Sequence, residues 1–272
     1  MERKTEKLLE RLKTCGSLVV ALSGGVDSAT LTKAAGLVLG DKAVAVTARS
    51  EFLAAEELAD ARDAARAAGV RHIVVDARDL DDPNVVRNDK ERCYYCKRGR
   101  FQKLCGWAKE NGFAFVADGS NLDDAGDFRP GARAIAEMAP TVVSPFVECG
   151  WSKADIRAQA RVWGLSVADK PSAACLASRI AYGVPLTAER LAQVEAAERI
   201  LRPLVKGQLR VRHHGALARV EAEPSAIENI VKHRGEIAEK LKAVGFFYVT
   251  LDLVGYRTGS MNEMLKNSLG GG

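Results

Sequence analysis

The hexapeptide Ser23-Gly24-Gly25-Val26-Asp27-Ser28 lies between a continuous apolar run at residues 18–22 and a stretch of helical composition at 29–40. A buried strand that turns through two glycines into a helix aims backbone N–H groups and the positive end of the helix dipole at one point, which makes an anion site. The glycines let the backbone approach a phosphate closely, Ser23 and Ser28 add hydroxyl donors, and Asp27 is a candidate Mg²⁺ ligand. GxxxxGK[ST] is absent, so the loop is not of the Walker A type. An ordinary glycine-rich turn is the competing account, and the full hexapeptide in this position disfavours it.

The neighbouring sequence extends the pattern. Residues 43–48, 70–77, 113–118 and 141–146 read as further short strands, and 4–14 and 53–69 as helices, with Gly69 placed to end the second. Strands separated by helices imply right-handed crossovers and an α/β, Rossmann-like parallel sheet. After about Pro171 the order becomes helix 188–202, a strand in QLRVRHH, a turn at Gly215, a strand in ALARVEA, a Pro-started helix 224–244 and the alternating FFYVTLDL. The expectation is therefore a nucleotide-binding domain over 1–170 and a smaller α+β domain over 171–272.

Composition narrows the function classes. Hydrophobic residues make up 47% and charged residues 28% of the chain, as in a folded soluble protein. No run reaches the length of a membrane span and the first residues are charged, so a cytoplasmic protein with no secretory signal is expected. Six cysteines in that setting point to thiolate, redox or metal chemistry rather than disulfides. The net charge of +5 is uneven: residues 1–150 carry 22 Lys and Arg against 23 Asp and Glu, and 151–272 carry 18 against 12. Residues 199–219 hold Arg199, Arg202, Lys206, Arg210, Arg212 and Arg219 and no acid. So local an excess favours a small anionic ligand over a nucleic acid.

Four further groups carry chemistry. Asp118-Gly119-Ser120-Asn121-Leu122-Asp123-Asp124 follows the fourth strand, at the sheet edge where such folds bind ligands, and Arg129 and Arg133 come next. The carboxylates suit Mg²⁺ and the arginines a polyphosphate, while an acidic turn capping a helix is the plainer alternative. Cys93-Tyr94-Tyr95-Cys96 is a CxxC, by itself two of four zinc ligands, a redox pair or chance. Cys175, between Lys170 and Arg179, has surroundings that favour a thiolate, whereas Cys15, Cys105 and Cys149 read as packing residues. Arg210 and Arg212, two apart on a strand, share one face and together suit a phosphate, although the alternation also describes a solvated strand face. Glu198 is a weaker candidate for a polar substrate contact or general base, and His213 and His214 read as structural or phosphate-adjacent, with nothing to mark them as metal ligands.

SGGVDS resembles the pyrophosphate loop of N-type ATP pyrophosphatases, which cut ATP between its α and β phosphates and adenylate a substrate oxygen. Taken in order with RCYYCK, DGSNLDDAGDFRPGARA, KPSAACLASRIAYG, LRVRHHGALARVE and GYRTGSMNE, it makes nearly the whole chain similar to the LarE family of ATP-dependent sulfur transferases. The resemblance implies adenylation of the carboxylates of pyridinium-3,5-biscarboxylic acid mononucleotide and their conversion to thiocarboxylates, toward the nickel-pincer nucleotide cofactor of lactate racemase. It implies ATP at Ser23, Gly24, Gly25, Asp27, Ser28, Arg49, Gly119, Asp124, Arg129 and Lys170, with Asp27 and Asp124 on Mg²⁺. Substrate and its phosphate fall to Ser178, Arg179, Glu198, Arg210 and Arg212, and the sulfur chemistry to Cys175 as catalytic residue. One family branch sacrifices a single cysteine sulfur; the other holds a [4Fe–4S] cluster on three cysteines. Cys93, Cys96 and Cys175 match the three-cysteine pattern of the second, in which three thiolates leave one iron open; an incidental CxxC with Cys175 acting alone is the alternative.

The implied partners are the small mononucleotide, a sulfide donor, proteins of the cofactor pathway and further copies of the chain, with no nucleic acid and no membrane. A tRNA thiolase shares the loop, but the sequence shows no added RNA-binding module. An amidating ligase lacks its glutaminase here, and an ATP-binding regulatory module leaves Cys175 and the arginine pair unexplained.

Overall fold

Strands β1 (Leu18–Ala21), β2 (Ala43–Arg49), β3 (Arg71–Asp76), β4 (Phe115–Ala117) and β5 (Val142–Val143) form a wholly parallel sheet in the order β3-β2-β1-β4-β5 in the computed structural model, which describes residues 1–126, 130–171 and 174–262. β1, β2, β4 and β5 are mostly buried, which is why they read as apolar runs, whereas the edge strand β3 has no buried residue. Leu18 and Val20 pack with Leu8 and Leu12 of α1 (Glu2–Lys13) and Ala29, Ala34 and Ala35 of α2 (Val26–Leu39). Val19, pointing the other way, packs with Val44, Val46 and Val116.

α3 (Ala55–Ala68) ends as expected at Gly69, whose φ of 69° is left-handed. The short α4 (Pro83–Val86) precedes α5 (Arg92–Glu110), which carries the CxxC and sends Phe101 and Leu104 into the Val19 side of the core. α6 (Pro130–Ala136), α7 (Pro145–Glu148) and α8 (Lys153–Val162) complete this part. The fifth strand stops short of the expected residue 146, because Pro145 has no N–H for the ladder and starts α7 instead. Phe146 and Trp151 are fully buried with ring centroids 5.4 Å apart. Burying a side chain such as Phe146 contributes about 1.5–3 kcal/mol and anchors the segment that leads into α8.

The remaining strands, β6 (Leu209–His214), β7 (Leu217–Ala222) and β8 (Tyr248–Leu251), form a second sheet in that order, β6 antiparallel and β8 parallel to β7. α9 (Ala188–Leu201), α10 (Ile227–Lys232) and α11 (Arg234–Ala243) pack on it through Ala197, Leu201, Ile230, Ile237 and Leu241. The single helix expected over 224–244 is broken. Pro224–Ala226 is a 3₁₀ turn, and α10 and α11 part at His233, whose ring Nδ1 lies 2.8 Å from the Asn229 carbonyl and competes with the helical ladder.

The chain divides into two units, Met1–Asp79 with Glu91–Ala173, and Leu80–Lys90 with Ala174–Gly272. A contiguous division at 170/171 misses the excursion Leu80–Lys90. Fully buried Asn88 fixes that segment in the second unit, its Nδ2 donating to the carbonyls of Ala181 at 2.9 Å and Val184 at 2.8 Å. Among the described residues no helix is long and apolar enough to cross a membrane.

Candidate active site

In the first unit the strand order reverses between β1 and β4, and the crevice beyond their carboxyl ends is where open α/β sheets bind ligands. SGGVDS leaves β1 there, and residues 118–124 leave β4. The loop is closed on itself. Ser23 N–H donates to Ser28 Oγ at 3.1 Å, and Ser28 Oγ donates to the Gly25 carbonyl at 3.2 Å. Gly24 has φ of 80°, and a Cβ there would stand 2.4 Å from the Glu57 carbonyl, so the fold itself demands glycine. Gly25 differs: it caps α2 with φ of −84°, and an added Cβ would meet nothing closer than Ser23 Oγ at 3.5 Å. Its bareness keeps the approach to the α2 N-terminus open. Gly119 lets the loop after β4 lie against that terminus, where a Cβ would come within 3.3 Å of Ser28 N.

Asp27 is the electrostatic centre of this crevice. Its Oδ2 is 2.5 Å from Lys153 Nζ, while its Oδ1 is buried with no hydrogen-bond partner among the described residues. Burial pushes the Asp27 carboxyl above its ordinary value, Asp124 pushes the same way, and Lys153 opposes both. A buried carboxylate oxygen left unsatisfied beside a second carboxylate fits a hard divalent cation, which is held by one or two carboxylates together with phosphate oxygens. The donors present therefore suit Mg²⁺. Asp124 is oriented by the Asn121 N–H, 3.0 Å from its Oδ2.

Lys153 was not singled out in the sequence. It opens α8 behind a capping box, with Asp155 N–H on Ser152 Oγ at 3.2 Å and Ser152 N–H on Asp155 Oδ2 at 2.9 Å. That Ser-x-x-Asp spacing was the available signal. Lys170 pairs with Asp60 of α3, whose Cβ lies 3.3 Å from the position a Gly24 Cβ would take, so the lysine stands beside the loop. Arg157 supports it by donating to the carbonyls of Lys170 at 2.8 Å and Ala168 at 2.6 Å.

Other residues are placed elsewhere in the unit. Arg49 ends β2 and pairs with Asp76 of β3 at 2.6 Å. Arg133 pairs with Glu91 at 2.5 Å and lies 4.1 Å above the Tyr94 ring. Asp118 is met by Lys97 at 3.3 Å and by the Ser120 hydroxyl. Arg129 lies outside the described residues.

All six cysteines are free thiols. Cys93 and Cys96 occupy the first turns of α5 at i and i+3, hence on one face, and both are partly exposed. Arg92 Nη2 reaches Cys93 Sγ at 3.7 Å. Cys15 and Cys149 are buried, and burial pushes the thiols of Cys105 and Cys149 up, as suits packing residues. Cys175 belongs to the second unit, partly exposed at the head of the 3₁₀ turn Leu176–Arg179. Among the described residues no three His, Cys, Asp or Glu side chains gather as a metal site. The soft donors suit iron.

The second unit collects charge around β6. Arg210 and Arg212 are both buried, so their strand face is not a solvated one. Arg179 forks onto Glu198 at 2.9 and 3.0 Å, and its Nη1 donates to the Cys175 carbonyl at 3.0 Å and Ser178 Oγ at 3.1 Å. Glu198 Oε1 also accepts the Val211 N–H at 3.0 Å. Both oxygens of Glu198 are thus engaged by Arg179, and one of them also by β6. Burial, with Arg179 as the next cause, pulls the Arg210 guanidinium down to about 10. Glu198 and Tyr256 oppose that fall, and Arg210 Nη1 donates to the Leu209 carbonyl at 2.6 Å.

Known proteins resemble this chain along most of its length. Residues 6–88 match the asparagine synthase domain family. The chain is 36% identical to the pyridinium-3,5-bisthiocarboxylic acid mononucleotide synthase of Lactiplantibacillus plantarum, over 97% of this chain and 96% of that protein. It is 40% identical to an uncharacterized protein of Synechocystis sp. over 97% of this chain and 99% of that one. The tRNA-specific 2-thiouridylase MnmA of Azorhizobium caulinodans is 30% identical, over only 57% of this chain and 48% of that protein.

Proposed function

Because the chain belongs to the LarE family of pyrophosphate-loop sulfur transferases, we propose that it adenylates the carboxylates of pyridinium-3,5-biscarboxylic acid mononucleotide with ATP and converts them to thiocarboxylates. The observation that carries the reading is the buried Asp27 Oδ1, which has no hydrogen-bond partner among the described residues while Oδ2 of the same carboxylate meets Lys153. Ser23, Gly25 and Ser28 donate to the triphosphate, and Lys153 and Lys170 add positive charge as pyrophosphate departs. Asp27 and Asp124 would hold Mg²⁺, which neutralises phosphate charge when bound. The substrate carboxylate attacks the α phosphorus, forming an acyl-adenylate and releasing pyrophosphate; the chain's contribution is alignment and charge neutralisation. Arg210 and Arg212 bind the substrate phosphate, with Ser178 and Arg179 beside them. Sulfur then attacks the activated carbonyl, and AMP leaves.

For the sulfur source, we propose the three-cysteine arrangement. Cys93, Cys96 and Cys175 would hold a [4Fe–4S] cluster, which would supply sulfide from its open iron. Donor chemistry and the i, i+3 placement of Cys93 and Cys96 support this. Iron and acid-labile sulfide in anaerobically purified protein, lost in Cys93→Ala, would agree with it. An active Cys93→Ala whose Cys175 becomes dehydroalanine would instead indicate a sacrificial thiol.

The experiment for the function as a whole measures pyrophosphate release from ATP as candidate acceptors are added in turn. Release with the biscarboxylate mononucleotide but not with tRNA or ammonia is expected. Release with tRNA alone would move the protein to the thiolases.

A further inference from the structure

The segment GYRTGSMNE has no part in the chemistry above, yet its residues meet both buried arginines of β6. Gly255 makes this possible: its φ is 75°, and a Cβ there would stand 2.7 Å from the Ala222 carbonyl. The chain thus passes close over the end of β7, where Tyr256 N–H donates to that carbonyl at 2.8 Å. The Tyr256 ring lies 5.4 Å from the Arg210 guanidinium carbon. Ser260, also buried, donates to Glu221 Oε1 at 3.0 Å and accepts from Arg212 Nη2 at 3.0 Å.

Glu221 is the keystone of this arrangement. It is fully buried, takes Nε and Nη2 of Arg212 on Oε2 at 2.9 and 2.7 Å, and takes Arg219 Nη2 on Oε1 at 2.7 Å. Arg212 Nη1 donates to the Ser178 carbonyl at 3.2 Å. Described partners therefore occupy four of the five N–H groups of Arg212 and leave one on Nη1. An arginine held in that way cannot swing to meet a ligand. Its remaining donor is aimed by Glu221 and Ser260, while Arg210 packs against the Tyr256 ring.

We propose that Glu221, Ser260 and Tyr256 are positioning residues for the substrate phosphate: they fix Arg212 and Arg210 in the orientation that grips the mononucleotide. The proposal rests on the reading of the arginine pair as the phosphate site. Ser260→Ala removes one hydroxyl and leaves the Arg212–Glu221 pair, Glu221→Gln keeps the shape and removes the charge, and Tyr256→Leu removes the ring.

The test titrates each variant, with Arg210→Ala as reference, against the biscarboxylate mononucleotide and separately against ATP, and follows turnover. Ser260→Ala and Tyr256→Leu should each raise the mononucleotide Kd and KM roughly fivefold, while kcat and ATP affinity stay within about twofold. Glu221→Gln should raise them further, and Ser260→Thr should restore wild-type binding. Unchanged mononucleotide affinity in Ser260→Ala and Tyr256→Leu, with Arg210→Ala weakened, overturns the positioning role alone. Equal weakening of both ligands together with a lower Tm shows a merely structural role and also overturns it. An Arg210→Ala that binds the mononucleotide normally removes the phosphate site and this proposal with it. Should Glu221→Gln fail to fold, the other two variants decide.

Discussion

Lys153 Nζ stands 2.5 Å from one oxygen of Asp27, and the other oxygen of that carboxylate is buried without a hydrogen-bond partner among the described residues. Half of the carboxylate is thus satisfied by the protein and half is left for a ligand. A group raised above its ordinary value by burial gives stability that is present below the unfolded value and lost as pH rises through the folded one. At neutral pH the ionised Asp27 therefore costs stability. Asp27→Asn should keep or raise Tm at pH 7 while pyrophosphate release is lost and stabilisation by Mg²⁺ with ATP disappears. Thermal melts with and without Mg·ATP check this; a large fall in Tm for the bare variant would mean that Asp27 serves the fold.

The two loop glycines should separate cleanly. Gly24→Ala forces a φ of 80° on a residue with a Cβ and drives that atom into the Glu57 carbonyl. The conformation alone costs about 1–2 kcal/mol, before the clash. Gly25→Ala has no such clash and should melt like the wild type, but with its methyl group at the α2 N-terminus it should bind ATP more weakly. Chemical denaturation combined with ATP titration distinguishes a stability defect at Gly24 from a binding defect at Gly25.

The α8 cap is a structural device with a functional consequence. The Lys4 hydrogen bond, followed by Ser152 N–H, holds the Asp155 carboxyl down at about 2. A depressed carboxyl gives stability that is present above its unfolded value and lost as pH falls through the folded one. The Tm difference between wild type and Asp155→Asn should therefore shrink as pH falls from about 4 toward 2. Ser152→Ala should cost about 1 kcal/mol and raise the KM for ATP, because Lys153 follows it. A cap variant with normal KM would disconnect the helix start from the phosphate site.

Arg210 and Arg212 should respond differently to alanine. Arg212→Ala leaves the fully buried Glu221 with one arginine fewer, and breaking a buried pair costs about 3–5 kcal/mol. Arg210→Ala removes a cation already disfavoured by burial and by Arg179, so stability should hold while mononucleotide binding weakens by about 1.5–3 kcal/mol. Urea denaturation of both variants beside ligand titration reads the contrast. Equal destabilisation by the two would refute it.

Much of the frame was legible because it is written locally. Leu18, Val19 and Val20 alternate between two covered faces, Gly69 ends its helix, and SGGVDS needs only its own glycines and the strand before it. What stayed hidden depends on partners distant in sequence. Lys153 gains meaning only when α8 reaches Asp27, and the Arg133 contacts with Glu91 and Tyr94 span some forty residues of sequence. The alternation of Arg210 and Arg212 gave their shared face, but not that Glu221, nine residues away from Arg212 across a hairpin, buries one of them in a pair. The excursion Leu80–Lys90 leaves no compositional mark, since its anchor is one asparagine reaching the Ala181 and Val184 carbonyls.

The measurement that bears most directly on the account is the mass of the product formed from the biscarboxylate mononucleotide, ATP, Mg²⁺ and a sulfide source, with pyrophosphate and AMP followed alongside. The account predicts a mononucleotide in which carboxylate oxygen has been replaced by sulfur, formed with one pyrophosphate and one AMP per exchange and abolished in Asp27→Asn and Cys175→Ala. Consumption of ATP with the mononucleotide recovered unchanged in mass, or sulfur appearing in tRNA instead, would contradict it.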